Sequence, residues 1–112
     1  MQMKNWQTQI KKGYLDLCVL LIISANRKMY GFDLLNVLEK MGLAVKEGTM
    51  YPLLNRMTIE GLLASSWDME NLKGHPRKFY TLTDTGHRTL HLMQKEFEDM
   101  YKLYGEIKNG GN

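Results

Sequence analysis

Leu90, Met93, Phe97, Met100, Tyr104 and Ile107 follow one another at spacings of three, four, three, four and three. Apolar residues at that alternation lie on one seam of an α-helix and present it to another helix. Thr83 is a side chain able to cap the helix start, and the pattern continues to about Lys108. At 1.5 Å per residue such a helix is ~38 Å long. A chain of 112 residues has room for one ordinary domain and no second core. The seam is therefore longer than the rest of the chain can cover. It is expected to meet a second copy; the competing reading is that it packs back on the first helix of its own chain, and the two can coexist.

Three shorter helical segments come before it. Ile10, Tyr14, Leu17, Leu20 and Leu21 recur at helical spacing within Gln7 to Ala25. The run "LDLCVLLII" alone would also suit a buried strand, but the length of the segment and the preceding "TQIKK" favour a helix. "NRK" reads as a turn. Gly31 to Met41 is a second helix, with Phe32, Leu35 and Leu38 on one face, Leu34 and Met41 beside them, and Gly42 as its C-terminal cap. The third runs from about Glu47 or Thr49 to Glu60, with Met50, Leu53, Leu54 and Met57 as its apolar stripe. Gly61 ends it.

The period then changes. "LLASSWDM" and "RKFYTLT" read as short strands joined by "ENLKGHP", in which Gly and Pro form the turn. Lys73, His75, Arg77 and Lys78 fall within six residues with no acid among them. The net charge of +3 is too mild to establish nucleic-acid binding, so this local cluster matters more. Three helices followed by a hairpin make a winged helix-turn-helix, a mainly α fold with a small β-hairpin. The third helix would enter the major groove and the wing would lie along the backbone. We divide the chain into a winged-helix domain at 1–82, a dimerisation helix at 83–108 and a disordered tail at 109–112, with the N-terminal helix also contributing to dimerisation.

Gly48 and Pro52 test where the third helix begins. With Thr49 as N-cap, Pro52 sits at the third helical position, where its missing N–H is not needed. Gly48 then lies just outside, letting backbone approach a phosphate. With a start nearer Glu47, Pro52 carries a cost and only the glycine argument survives. Outward residues Lys46, Thr49, Tyr51, Asn55 and Arg56 are the reading candidates. Thr49, Tyr51 and Asn55 would touch bases or phosphates, and Lys46 and Arg56 phosphates. An ordinary solvated helix face is the competing reading, and Glu47 and Glu60 suit it.

Other features narrow the function. There is no phosphate loop, nucleophile elbow or paired-carboxylate site, so an enzyme is not expected, and no cofactor is expected. Cys18 has no partner in the chain, which excludes a disulfide framework and suits a cytoplasmic location. No signal peptide is read, and the longest apolar run is shorter than a membrane span. His87 and His91 lie four apart, but no acid completes a metal motif. Asp16 shares a stripe with Gln9 and Lys12 and is either solvated, paired with Lys12 or turned to a cationic ligand. Phe97, flanked by Met93 and Met100, either fills a dimer core or stacks on a ligand. Trp67 is expected to pack the hairpin on the helices. Trp6 either caps the domain or reaches into a partner.

Four ordered motifs also resemble those of PadR-like transcriptional regulators. They are "YGFDLL" (Tyr30 to Leu35), "VKEGTMYPLLNRM" (Val45 to Met57), "EGLLASSW" (Glu60 to Trp67) and "GHPRKFYTLTDTG" (Gly74 to Gly86). The resemblance spans about four fifths of the chain. It implies a winged-helix repressor that dimerises through its C-terminal helix, and it adds Tyr30 to the DNA-binding candidates. The short chain is similar to the compact subfamily with one C-terminal helix, which includes multidrug sensors. There, a drug pore at the dimer centre is lined by the first and last helices, with an aromatic pair stacking on the ligand. Phe97 stands where the multidrug sensor has Trp. This implies ligand contacts at Gln9, Lys12, Asp16, Met93, Phe97, Met100 and Tyr101. Expected partners are double-stranded operator DNA, a second copy and a small aromatic or cationic effector. The competing functions are a dimeric protein-interaction module and a DNA-binding regulator without an effector.

Overall fold

The computed structural model describes residues 2–69 and 77–110. Lys73, His75 and the last two residues of the tail lie outside the described residues. The elements are α1 (Met3–Asn26), β1 (Met29–Tyr30), α2 (Gly31–Lys40), α3 (Glu47–Ile59), β2 (Leu63–Asp68), β3 (Arg77–Leu82) and α4 (Asp84–Lys108). The strands form one antiparallel sheet in the order β1-β3-β2. The architecture is the winged helix-turn-helix that the periodicities predict.

The apolar run of α1 is helical and buries Leu17, Val19, Leu20, Ile22 and Ile23. Its earlier apolar residues Ile10 and Tyr14 are exposed instead. Those five side chains pack with Leu34, Leu35 and Leu38 of α2 and with the stripe Met50, Leu53, Leu54 and Met57 of α3. Phe32 and Met41, expected on the packed side of α2, are exposed. Gly42 and Gly61 adopt φ of 88° and 82°, the left-handed conformation in which a helix ends. In each case the next residue's N–H closes the turn, Leu43 onto Leu38 and Leu62 onto Met57.

Two local features differ from expectation. "NRK" is followed by β1, whose Met29 pairs with Tyr80 and Tyr30 with Phe79. Two residues are too few to show a period. The start of α3 is Glu47, with Lys46 at the N-cap and no side chain capping it. Thr49 is therefore not the cap, Gly48 lies within the first turn and Pro52 inside the helix. The carbonyl of Gly48 loses the N–H that residue 52 would supply. Gly48 and Pro52 are both exposed, so water can take that carbonyl.

α4 starts on a tight junction. The Thr83 hydroxyl accepts from the Gly86 N–H at 2.9 Å and donates to the Gly61 carbonyl at 2.6 Å. The Thr83 N–H donates to the Leu62 carbonyl at 3.1 Å. Gly86 lies so near this strand that an added Cβ would stand 2.1 Å from the Leu62 carbonyl oxygen. α4 then packs along α1 and buries Leu90. Beyond Met93 it leaves the core. The radius of gyration is 16.4 Å and the longest extent 60 Å, against ~13 Å for the radius of a compact domain of about this length.

Replacing Gly86 by Ala should cost about 1–3 kcal/mol, because a backbone oxygen cannot yield to the methyl. Thermal unfolding followed by circular dichroism should show a lowered midpoint. An unchanged midpoint would mean that α4 leaves the sheet differently.

Candidate nucleic-acid interface

Because α3 buries Met50, Leu53, Leu54 and Met57, its other side faces out. Lys46, Thr49, Tyr51, Asn55 and Arg56 are all exposed. The Tyr51 ring lies on Gly31, the first residue of α2, where a Cβ would be 2.7 Å from Tyr51 Cε1. Glycine at position 31 thus lets α2 and α3 close on each other.

A groove of about 500 Å³ runs between α3, the start of α2 and the sheet. Tyr30, Phe32, Tyr51, Asn55, Trp67, Arg77 and Lys78 line it. Trp67 is exposed and forms a wall of this groove, rather than packing the hairpin on the helices. The reason is register: Trp67 opposes Lys78 on the open side of the hairpin, with the Lys78 ammonium 5.7 Å from its ring centre.

Arg77 is held within the chain. Its Nη2 donates to Asp33 Oδ2 at 3.2 Å, and its guanidinium lies 3.8 Å from the centre of the Tyr30 ring. The Tyr30 hydroxyl donates in turn to Asp68 Oδ2 at 2.5 Å. This hydrogen bond favours the neutral phenol and raises the Tyr30 pKa above 10.0.

Arg56 is engaged more fully. Its Nη2 donates to both carboxylate oxygens of Asp16, at 3.0 and 3.1 Å, and its Nη1 to Glu60 at 2.8 Å. The hydrogen bond to Asp16 is the main reason its pKa is raised. Asp16 therefore pairs across to α3, not with Lys12 along its own helix. Arg56 ties α3 to α1 instead of extending toward a phosphate.

The dimer and ligand candidates divide similarly. Leu90, assigned to the intermolecular seam, lies in the core of its own chain, and Met93 packs against that core. Phe97, Met100, Tyr101, Tyr104 and Ile107 are exposed. Phe97 stacks on Tyr14 of α1 with ring centres 5.6 Å apart, and Tyr101 stacks on Tyr104 at 6.1 Å. Sequence reasoning did not single out Tyr14 as a site residue. Its helical spacing was visible, but its partner depends on how α4 crosses α1. Gln9 and Lys12 are exposed on α1, and so is Trp6. Among the described residues no group of three or more His, Cys, Asp or Glu could hold a metal. No described helix is long and apolar enough to cross a membrane.

An outward-facing third helix beside a hairpin groove containing Arg and Lys defines a winged-helix DNA-binding regulator. Comparison with known proteins specifies the family. The model of the transcriptional regulator PadR-like family matches residues 19–92. The chain is 30% identical over 91 residues to the transcriptional regulator Rv3488 of Mycobacterium tuberculosis, covering 80% of this chain and 83% of that one. Among solved structures it is similar to a PadR family transcriptional regulator from Eggerthella lenta, with a TM-score of 0.84 and 30% identity, covering 96% of this chain and 93% of that one. It is also similar to the PadR-like regulator BC4206 from Bacillus cereus, with a TM-score of 0.79 and 35% identity, covering 91% and 98%. The chain belongs to the PadR-like family of transcriptional regulators. It is a DNA-binding regulator and not an enzyme.

The Tyr30–Asp68 bond gives a pH prediction. Folding raises the Tyr30 pKa, so the bond's contribution is complete below pH 10.0 and is lost as pH rises through the higher folded value. Tyrosinate absorbance should show a late-ionising fraction to which Tyr30 contributes together with Tyr14 and Tyr80, whose pKa values are also raised. Tyr30→Phe should shrink that late fraction by one residue, and a late fraction left unchanged would place the bond elsewhere.

Proposed function

We propose that the protein is a homodimeric repressor whose operator binding is relieved by a small aromatic ligand at the dimer centre. One observation carries the dimer: the second half of α4 exposes Met100, Leu103, Tyr104 and Ile107, and the first half of α1 exposes Met3, Trp6, Ile10 and Tyr14. Apolar surface on this scale on two neighbouring helices marks an interface. The heptad alternation on α4 favours a helical partner, and a second copy supplies one.

In such a dimer two α3 helices would enter successive major grooves, giving half-sites ~10 bp apart. Thr49, Tyr51 and Asn55 read bases or position the helix. Lys46, Lys78 and the first turn of α3 meet phosphates, and Lys73 and His75 join them from the wing tip. Gly48 supports this use of the first turn. A Cβ there would touch nothing within 4 Å, so packing within the chain does not require glycine. Close approach of a phosphate would.

The Tyr14–Phe97 stack supports the ligand site. It is a partly exposed aromatic pair on the surface where two copies would meet, with Met93 and Met100 beside Phe97 and Gln9, Lys12 and Tyr101 nearby. Because Arg56 occupies Asp16, a planar uncharged aromatic suits the site better than a cation. To relieve repression, the ligand must bind the spacing of the two reading helices that does not fit DNA more tightly.

The mass in solution tests the dimer. Light scattering should give twice 13.1 kDa, and Ile107→Lys should shift it toward the monomer and weaken DNA binding with it. A wild-type monomer would contradict the proposal. Gly48→Ala separates fold from recognition. It should leave stability, followed by the melting temperature, unchanged or raised by up to ~1 kcal/mol, yet weaken DNA binding severalfold. Undiminished binding would remove Gly48 from the interface.

A further inference from the structure

We infer that Asp33 stands in for a DNA phosphate, holding Arg77 in its binding position on the free protein and competing with DNA for it. This rests on reading the groove between α3 and the sheet as the DNA-facing surface. Arg77 is the first residue of β3, in the β2–β3 pair farthest along the strands from α3 and α4, and it lines that groove. Its guanidinium has two contacts of different kinds. One face lies on the Tyr30 ring, 3.8 Å from its centre. That ring is fixed at its far end by the hydroxyl bond to Asp68 and edge-on by Phe79. Nη2 meets Asp33 at 3.2 Å.

The platform and the acid contribute differently. Stacking leaves the in-plane N–H groups free to choose an acceptor, and a guanidinium presents the same fork to a carboxylate as to a phosphate. Asp33 lies in the first turn of α2, and its side chain and that of Arg77 are both open to solvent, at 47% and 39% exposure. An ion pair this exposed is worth little and exchanges readily. A DNA phosphate can therefore replace Asp33 without moving the guanidinium off its ring. Tyr30 is then a positioning residue, and Asp33 a competitor that lowers affinity for every DNA sequence alike. Asp68, opposite Arg77 in the β2–β3 register, accepts the Tyr30 hydroxyl bond.

The test is a double-mutant cycle on the full chain. A phosphate contact is indifferent to sequence, so a fluorescent random-sequence duplex at low salt serves as probe. Asp33→Asn keeps the size of the side chain and removes its charge. It should tighten binding about two- to fivefold, the range set by an exposed ion pair. Arg77→Ala should weaken binding, and adding Asp33→Asn to it should give no such gain. Circular dichroism melts would establish that the variants fold.

Unchanged or weaker binding by Asp33→Asn would overturn the competition. Equal tightening with and without Arg77 would also overturn it, since removing an acid near DNA would then explain the gain. If Arg77→Ala itself leaves binding unaltered, Arg77 does not touch DNA. The reading of the groove then fails, a result distinct from failure of the competition alone.

Discussion

The close approach of Gly86 to the Leu62 carbonyl sets the direction in which α4 leaves the sheet. Thr83 fixes the same corner by bonding to both Gly61 and Gly86. With that direction set, the first turns of α4 lie along α1 and bury Leu90, while the later turns pass beyond the core. The corner therefore divides one continuous helix into a part that stabilises the monomer and a part that, past the Phe97–Tyr14 stack, projects beyond the core. A helix rising 1.5 Å per residue over 25 residues outruns the core that α2, α3, the sheet and the second half of α1 build. The exposed apolar seam is the consequence.

The same economy of space shapes the reading face. Two of its arginines are paired with acids of the chain, Arg56 with Asp16 and Glu60 and Arg77 with Asp33. Their arrangements differ. Arg56 joins α1 to α3, so the helix that carries Tyr14 is tied to the helix proposed to read DNA. In the proposed dimer, movement of α1 would be transmitted to α3 through this pair and through the shared core. Arg77 sits on an aromatic platform with an exchangeable partner.

Much of this was legible in the sequence. The helices bury stripes at a period of 3.6 and the hairpin breaks that period, so the winged helix followed from pattern alone. Thr83 as a cap and Met50 and Met57 as core residues followed as well. Motif order carried the family. Other features needed three dimensions. Pro52 was placed in the first turn because propensity disfavours it later, but an exposed carbonyl tolerates the lost bond. Arg56 read as a free cation because its partner Asp16 lies 40 positions away. Trp67 read as core by residue type, whereas strand register turns it outward. Leu90 shared a period with Ile107, and period does not say which of two neighbours, own chain or partner, covers each turn.

The central claim is that this scaffold selects a DNA sequence, and one titration tests it most directly. Fluorescence anisotropy would follow binding to a duplex from upstream of the protein's own gene and to a scrambled duplex, each at two salt concentrations. The account predicts tighter binding to the first duplex at both salts, with both affinities falling steeply as salt rises. Equal, weak binding to the two duplexes would contradict it, leaving a charged surface without base readout.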